Sequence, residues 1–147
     1  MAHRIQIMTT KIFVIDDDNA VTDLLSVLLT SQGFEVWATN SSTEGLTHIR
    51  ENTPDLVILD LMMPEMDGWE ICRAVRAFSD VPIIVLSALN DPSMVASVLD
   101  AGADDYLTKP TPSRVLVAHI NRLVNRKSNS VSINGQNGQT FKALPAA

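Results

Sequence analysis

The chain carries a single cysteine, Cys72, in 147 residues. No internal disulfide can form, which excludes a small stapled scaffold. Cys72 lies in an apolar-periodic segment and reads as a buried structural thiol. Aromatic residues make up only 5% of the sequence, so the core must be aliphatic. No apolar run approaches the ~20 residues that cross a membrane as a helix. Met1 to Thr10 lacks the apolar stretch of a signal peptide. These absences predict a cytoplasmic protein with no membrane partner, and Met8 stands as a second candidate start. Basic residues are outnumbered 11 to 17, for a net charge of -6. Such a balance argues against nonspecific contact with phosphate backbones, so no nucleic acid is expected to bind this chain directly. A DNA-binding partner stays open. His3, His48 and His119 are isolated and off metal-ligand spacing, and carry no assigned chemistry.

What is present is a regular alternation. At this length, with 46% hydrophobic residues, one domain with a proper core is expected. Ile12 to Ile15 is a short apolar strand ending on Asp16, Asp17 and Asp18. Asp18 or Asn19 can cap a helix to about Thr30, with Val21, Leu24, Leu25, Leu28 and Leu29 at helical spacing and Gly33 as its stop. Phe34 to Ala38 reads as a second strand. Ser41 and Glu44 have capping-box spacing for a helix through about Glu51. Asp55 to Leu59 is a third strand ending on Asp60, and a loop punctuated by Pro64 and Gly68 follows. Trp69 to about Phe78 reads as a helix with Ile71, Cys72 and Val75 inward. Val81 to Leu86 is a buried strand ending on Ser87. Pro92 to Ala101 is a helix closed by Gly102, and Asp105 to Leu107 a fifth strand ending at Thr108, Lys109 and Pro110. Thr111 is the expected cap of a last helix that starts at Pro112 and runs to about Arg126. Val115, Leu116, Ile120, Leu123 and Val124 form its apolar side.

Five strands alternating with five helices predict βαβ units and an α/β doubly wound parallel sheet with helices on both faces. The division expected is an N-terminal extension over 1–10, a domain over 11–127 and a polar tail or linker stub over 128–147. Asn134-Gly135 and Asn137-Gly138 are turn signals in that tail, and Val131, Ile133, Phe141 and Leu144 its apolar residues.

In a parallel sheet, Asp16 and Asp17 share an edge with Asp60. If their strands are neighbours, three carboxylates converge. Two unit charges about 4 Å apart repel by roughly 4 kcal/mol at an effective dielectric of about 20. A divalent cation relieves this, and oxygen ligands alone favour Mg²⁺, with Mn²⁺ as an alternative. Ser87 brings a hydroxyl to the same edge and Lys109 an ammonium. A carboxylate nucleophile, a metal, a donor and a cation together suit phosphoryl transfer to an aspartate.

At these residues the sequence resembles a known family, the receiver domains of bacterial two-component response regulators, with the CheY-like fold. The resemblance rests on Asp16-Asp17, on Asp60 in LDLMMPEMDG, on Ser87 in PIIVLSA, and on GADDYLTKP from Gly102 to Pro110. It spans about Lys11 to Lys127. It implies the flavodoxin-like strand order 2-1-3-4-5. It implies that Asp60 accepts a phosphoryl group from a sensor histidine kinase or a phosphotransfer protein. Asp17 would bind Mg²⁺ directly, Asp16 mostly through metal-bound water, and Met62 through its backbone carbonyl, beside Asp60 itself. Ser87 would move toward the phosphoryl oxygen, Lys109 would pair with Asp60 or its phosphate, and Tyr106 would be the switch aromatic. Catalysis would extend only to the protein's own phosphorylation and dephosphorylation. The surface of the fourth helix, fifth strand and fifth helix would then change its affinity for an effector or output domain, or form a phosphorylation-dependent homodimer. For the dimer of winged-helix regulators, Asp100, Asp104 and Asp105 supply acids. Val95 and His119 stand where basic residues are usual in that subfamily, and Thr111 stands where Phe is common.

Met62 and Leu89 each lie two residues past a key position. Both are bulky and apolar, so both are expected to flank the phosphoryl group and shield it from water. Three other readings compete. An aspartate-nucleophile phosphatase would need an acid-base two residues after Asp60, where Met62 stands. A phosphorylation-independent pseudo-receiver would not need the full residue set. A nucleotide-binding flavodoxin-like module would need a Gly-rich loop after the first strand, and none is there.

Overall fold

The computed structural model describes the backbone of residues 9–136 and the side chains of residues 9–126. Most of the expected 1–10 extension and the segment 137–147 of the expected tail, with His3, Phe141 and Leu144, lie outside the described residues. Five parallel strands are present: β1 (Lys11–Ile15), β2 (Glu35–Thr39), β3 (Leu56–Leu59), β4 (Ile83–Ser87) and β5 (Asp105–Thr108). Their order is β2-β1-β3-β4-β5, as the resemblance implied. The three inner strands are buried along nearly their whole length, as strands between two helical layers must be. The edge strands β2 and β5 are only half-buried.

Alternation along the strands sorts the core into two layers. Phe13, Ile15, Val57, Leu59, Ile83 and Val85 face one side, with Ile49, Ile71, Cys72, Val75 and Val98. These last five come from α2 (Ser42–Asn52), α3 (Gly68–Arg76) and α4 (Pro92–Asp100). Ile12, Val14, Leu56, Ile58, Ile84 and Leu86 face the other side, against Leu25, Leu29, Leu116, Ile120 and Leu123. Those belong to α1 (Asn19–Ser31) and α5 (Ser113–Gln136).

Local chemistry starts and stops these helices. Asp18 accepts from the Ala20 amide at 2.9 Å, Ser41 from Glu44 at 3.2 Å, Asp67 from Glu70 at 2.9 Å and Asp91 from Ser93 at 2.8 Å. Each satisfies an amide that the helix cannot. Gly33 ends α1 at a φ of 92°, where a side chain would be strained.

Four sequence expectations need correction. Leu24 is 65% exposed, and Thr22 takes the inward place beside Leu25 and Leu29. Thr22 can face the core because its hydroxyl is satisfied within the helix, donating to the Asn19 carbonyl. Val115 is half-exposed, so the buried stripe of α5 is narrower than its apolar pattern. Thr111 does not cap α5: its hydroxyl donates back to the Thr108 carbonyl at 2.6 Å, and the helix bonds begin at the Pro112 carbonyl. Finally, α5 continues to Gln136, through the Asn134-Gly135 turn signal. No proline interrupts Ser113 to Gln136, and adding residues to a formed helix is far easier than starting one.

At the amino-terminal edge of the sheet, Arg76 ties loops together. It donates to the carbonyls of Gly102 (2.9 Å), Ser79 (3.2 Å) and Val81 (2.7 Å), and to Asp104 Oδ2 (2.8 Å). The same Asp104 oxygen accepts from the Ile83 amide at 2.8 Å.

Candidate functional site

The strand register answers whether the acidic strand ends meet. Ile15 pairs with Leu59 between β1 and β3. Asp16 and Asp60 are the next residues on each chain, and the Asp60 amide donates to the Ile15 carbonyl at 3.0 Å. Asp16, Asp17 and Asp60 place carboxylate oxygens within 4.8 Å of one another. Asp16 and Asp60 are buried, at 3% and 8% exposure, while Asp17 opens to solvent. This all-oxygen set, partly open, fits the donor preference of Mg²⁺.

Lys109 reaches the cluster from the end of β5. Its amide donates to the Ser87 carbonyl at 2.8 Å, which fixes where the side chain starts. Its ammonium donates to Asp16 Oδ2 at 2.6 Å and to Asp60 Oδ2 at 3.4 Å. Asp16 is the tighter partner, and Lys109 also lies within ion-pair distance of Asp60. Burial lifts the Asp16 carboxyl above its ordinary pKa, against the hydrogen bonds from Lys109 and the Asp18 amide. Burial alone would lower the Lys109 pKa, but its bonds and charges with Asp16 and Asp60 outweigh that and raise it. One cation faces three carboxylates, so negative charge is in surplus.

The other oxygen of Asp60, Oδ1, accepts from the Leu61 amide at 2.8 Å. Gly68 is needed at this point. A Cβ there would come within 2.8 Å of the Asp60 carbonyl oxygen and of Leu61 Cα, both backbone. In the sequence Gly68 reads only as loop punctuation, because the close approach exists only in three dimensions.

Ser87 is 1% exposed, and its hydroxyl accepts from the Leu89 amide at 3.3 Å. The Tyr106 hydroxyl donates to the Leu89 carbonyl, and the half-buried ring packs on the α2-α3-α4 side of the core. Burial raises the Tyr106 pKa, the Ser87 hydroxyl opposes this, and the Asp60 charge adds to it. Ser87, Leu89 and Tyr106 thus form one connected group on the Asp60 edge. Met62 is 60% exposed, while Leu89 is half-buried against the core.

Outside the site, Cys72 is buried, and burial pushes its thiol up to about 11, an inert group as expected. His48 is not isolated: its ring stacks on Trp37 with centroids 3.6 Å apart and lies 3.9 Å from that of Phe13. His119 and Arg122 both pair with Asp105, and Arg76 with Asp104. Two of the acids expected to serve a dimer are therefore already paired within the chain.

Known proteins resemble this chain along most of its length. The model of the response regulator receiver domain matches residues 12–121. The DNA-binding response regulator MtrA of Mycobacterium tuberculosis is 42% identical over 119 residues, covering 81% of this chain and 52% of MtrA. The transcriptional regulatory protein AfsQ1 of Streptomyces coelicolor is 44% identical over 115 residues, 78% of this chain and 51% of AfsQ1. The crystal structure of a response regulator receiver domain protein from Clostridium thermocellum superposes with a TM-score of 0.77 at 35% identity. It covers 82% of this chain and 98% of that one. The chain spans about half the length of the curated relatives it matches. These relatives correct the expectation of no direct nucleic-acid partner, because the first of them is named as DNA-binding. The charge argument weighed only the residues of this chain, and the relatives extend about as far again. No helix among the described residues is long and apolar enough to cross a membrane.

Proposed function

The chain belongs to the response regulator receiver domains, the phosphorylation-based signalling switches of two-component systems, and from that premise we propose that Asp60 is its phosphoacceptor. The observation that carries this reading is the meeting of three carboxylates within 4.8 Å beside Lys109, at the carboxyl ends of β1, β3 and β5. A histidine kinase or phosphotransfer protein supplies the phosphoryl group. The Asp60 oxygen forms the new bond to phosphorus as the bond to the donor imidazole breaks. Bound Mg²⁺ would supply charge neutralisation for the carboxylates and the phosphoryl oxygens. Asp16 and Asp17, with Asp60 and the Met62 carbonyl, are the groups that would hold it.

Among the described residues, Lys109 is the ammonium that reaches the site. Once Asp60 carries a phosphoryl group, Lys109 can exchange its Asp16 bond for a phosphoryl oxygen. Ser87 turns to donate its hydroxyl to another, and that movement draws its oxygen away from the Leu89 amide. Tyr106, bonded to the Leu89 carbonyl, then repacks and alters the surface of α4, β5 and α5. This is a two-state equilibrium biased by local charge. Met62 and Leu89 flank the phosphoryl group and slow its hydrolysis. The switch acts in the cytoplasm on a DNA-binding output of the kind named for its relatives. The protein's catalysis is confined to its own phosphorylation and dephosphorylation.

Labelling by acetyl phosphate tests this. Wild type is expected to gain one phosphate that hydroxylamine and alkali release, only with Mg²⁺ present, and Asp60→Asn none. Equal labelling of the two proteins, or none of wild type, would overturn the assignment.

A further inference from the structure

The β2-α2 loop and the first turn of α2 bring no carboxylate to the site, yet they touch both loops that do. Asn40 Nδ2 donates to the Asp16 carbonyl at 2.8 Å and to Thr22 Oγ1 at 3.1 Å. Thr22 is 4% exposed and passes its own hydrogen to the Asn19 carbonyl at 3.1 Å. Two residues after Asn40, Ser42 is 1% exposed and turns the other way. Its hydroxyl donates to the Pro64 carbonyl at 3.2 Å and accepts from the Met66 amide at 3.1 Å. Thr43 adds a bond to Glu65 Oε2 at 3.0 Å. Between the gripped carbonyl and the gripped amide, Glu65 has a φ of 71°. A residue with a side chain holds that conformation at a cost of about 1–3 kcal/mol, and only where its surroundings enforce it.

We propose that Asn40 and Ser42 are positioning residues for the Mg²⁺ site. Asn40 holds the turn that carries Asp16 and Asp17. Ser42 holds the loop that leaves Asp60 and carries Met62. Together they set the gap between the two. The inference rests on the reading of Asp16, Asp17 and Asp60 as that site.

The physical need is specific. Mg²⁺ demands near-ideal octahedral geometry, with ligands at about 2.0–2.1 Å. The converging carboxylates repel one another and push their loops apart. A third segment bonded to both loops resists that spread. Its groups are a neutral amide and a neutral hydroxyl, so they add no charge to the cluster.

The test is Mg²⁺ affinity of the full chain by calorimetry, repeated with Mn²⁺ by electron paramagnetic resonance. Asn40→Ala and Ser42→Ala are each expected to weaken binding by roughly tenfold, the low end for partners that orient metal ligands. Hydrogen exchange at the Met66 amide should quicken in Ser42→Ala. Arg76→Lys, which loosens the opposite edge of the sheet, should lower the melting temperature and leave Mg²⁺ affinity alone. Folded Asn40→Ala and Ser42→Ala proteins with wild-type affinity would overturn the proposal. Should Ser42→Ala fail to fold, the exposed Asn40 decides alone. Asp17→Asn separates the two levels. If it binds Mg²⁺ as wild type does, the site itself is misassigned and the proposal falls with it. If only Asp17→Asn weakens binding, the site stands and the positioning role is lost.

Discussion

Each edge of the sheet has a cation that bonds a carboxylate, and the two are almost equally exposed: Lys109 at 22% and Arg76 at 23%. Their surroundings differ. Arg76 meets one acid, Asp104, and spends its remaining donors on three carbonyls. Charge balances one to one, and the bonds tie the loop before β4 to the loop before β5. Lys109 meets two of three crowded carboxylates, and negative charge is left over. Burial of the cation therefore does not distinguish the two edges, although Asp16 is far more buried than Asp104. The balance of charge and of donors against acceptors does. A satisfied cluster holds the fold, whereas one with surplus charge is poised for a ligand.

The contrast can be broken at either edge. Arg76→Ala should have the largest effect, because it strips bonds from Asp104 and three carbonyls at once. Roughly 3 kcal/mol of stability should go, read by urea unfolding, with Asp60 still accepting phosphate in the folded fraction. Loss of phosphoacceptance without loss of stability would reverse the roles assigned to the two edges. Mg²⁺ should have nearly as large an effect with the opposite sign. At ~100 times its dissociation constant, a ligand of the native state alone adds about 2.7 kcal/mol. Thermal unfolding should move upward for wild type and for Arg76→Ala alike, and not for Asp17→Asn. A third experiment sharpens the reactive edge. Met62→Asn with Leu89→Arg should shorten the aspartyl-phosphate half-life several-fold, followed by release of inorganic phosphate, and an unchanged half-life would remove the shielding role. The smallest effect is at Cys72. With its pKa raised by burial to about 11, the thiol should resist a thiol-specific reagent at pH 8 until the protein unfolds.

Much of this molecule was legible in order along the chain. Strand ends carrying Asp16, Asp60, Ser87 and Lys109 were visible because an apolar run that stops on a polar residue is a local pattern. Helix starts at Asp18 and Ser41 were visible for the same reason. Less legible was which way a helix faces. Leu24 and Val115 fit the apolar spacing, yet they lie outside the buried stripes, because helix rotation is set by what packs below. The end of α5 was misplaced because Asn-Gly is only a weak veto against a helix already formed. Asn40 and Ser42 left a faint signal. Asn40-Ser41-Ser42-Thr43 holds more polar side chains than one helix cap requires.

The sequence by itself determined the five strands and five helices, the two-faced core and the residue types at the reactive edge. All of these follow from apolar periodicity and from what ends each run. Tertiary structure decided that Asp16 and Asp60 stand side by side, that Lys109 sits closer to Asp16, that only Gly68 fits against the Asp60 backbone, and that a third loop clasps the acidic ones. Each of these depends on a distance between residues far apart in the chain, and such distances exist only once the strands have taken their register.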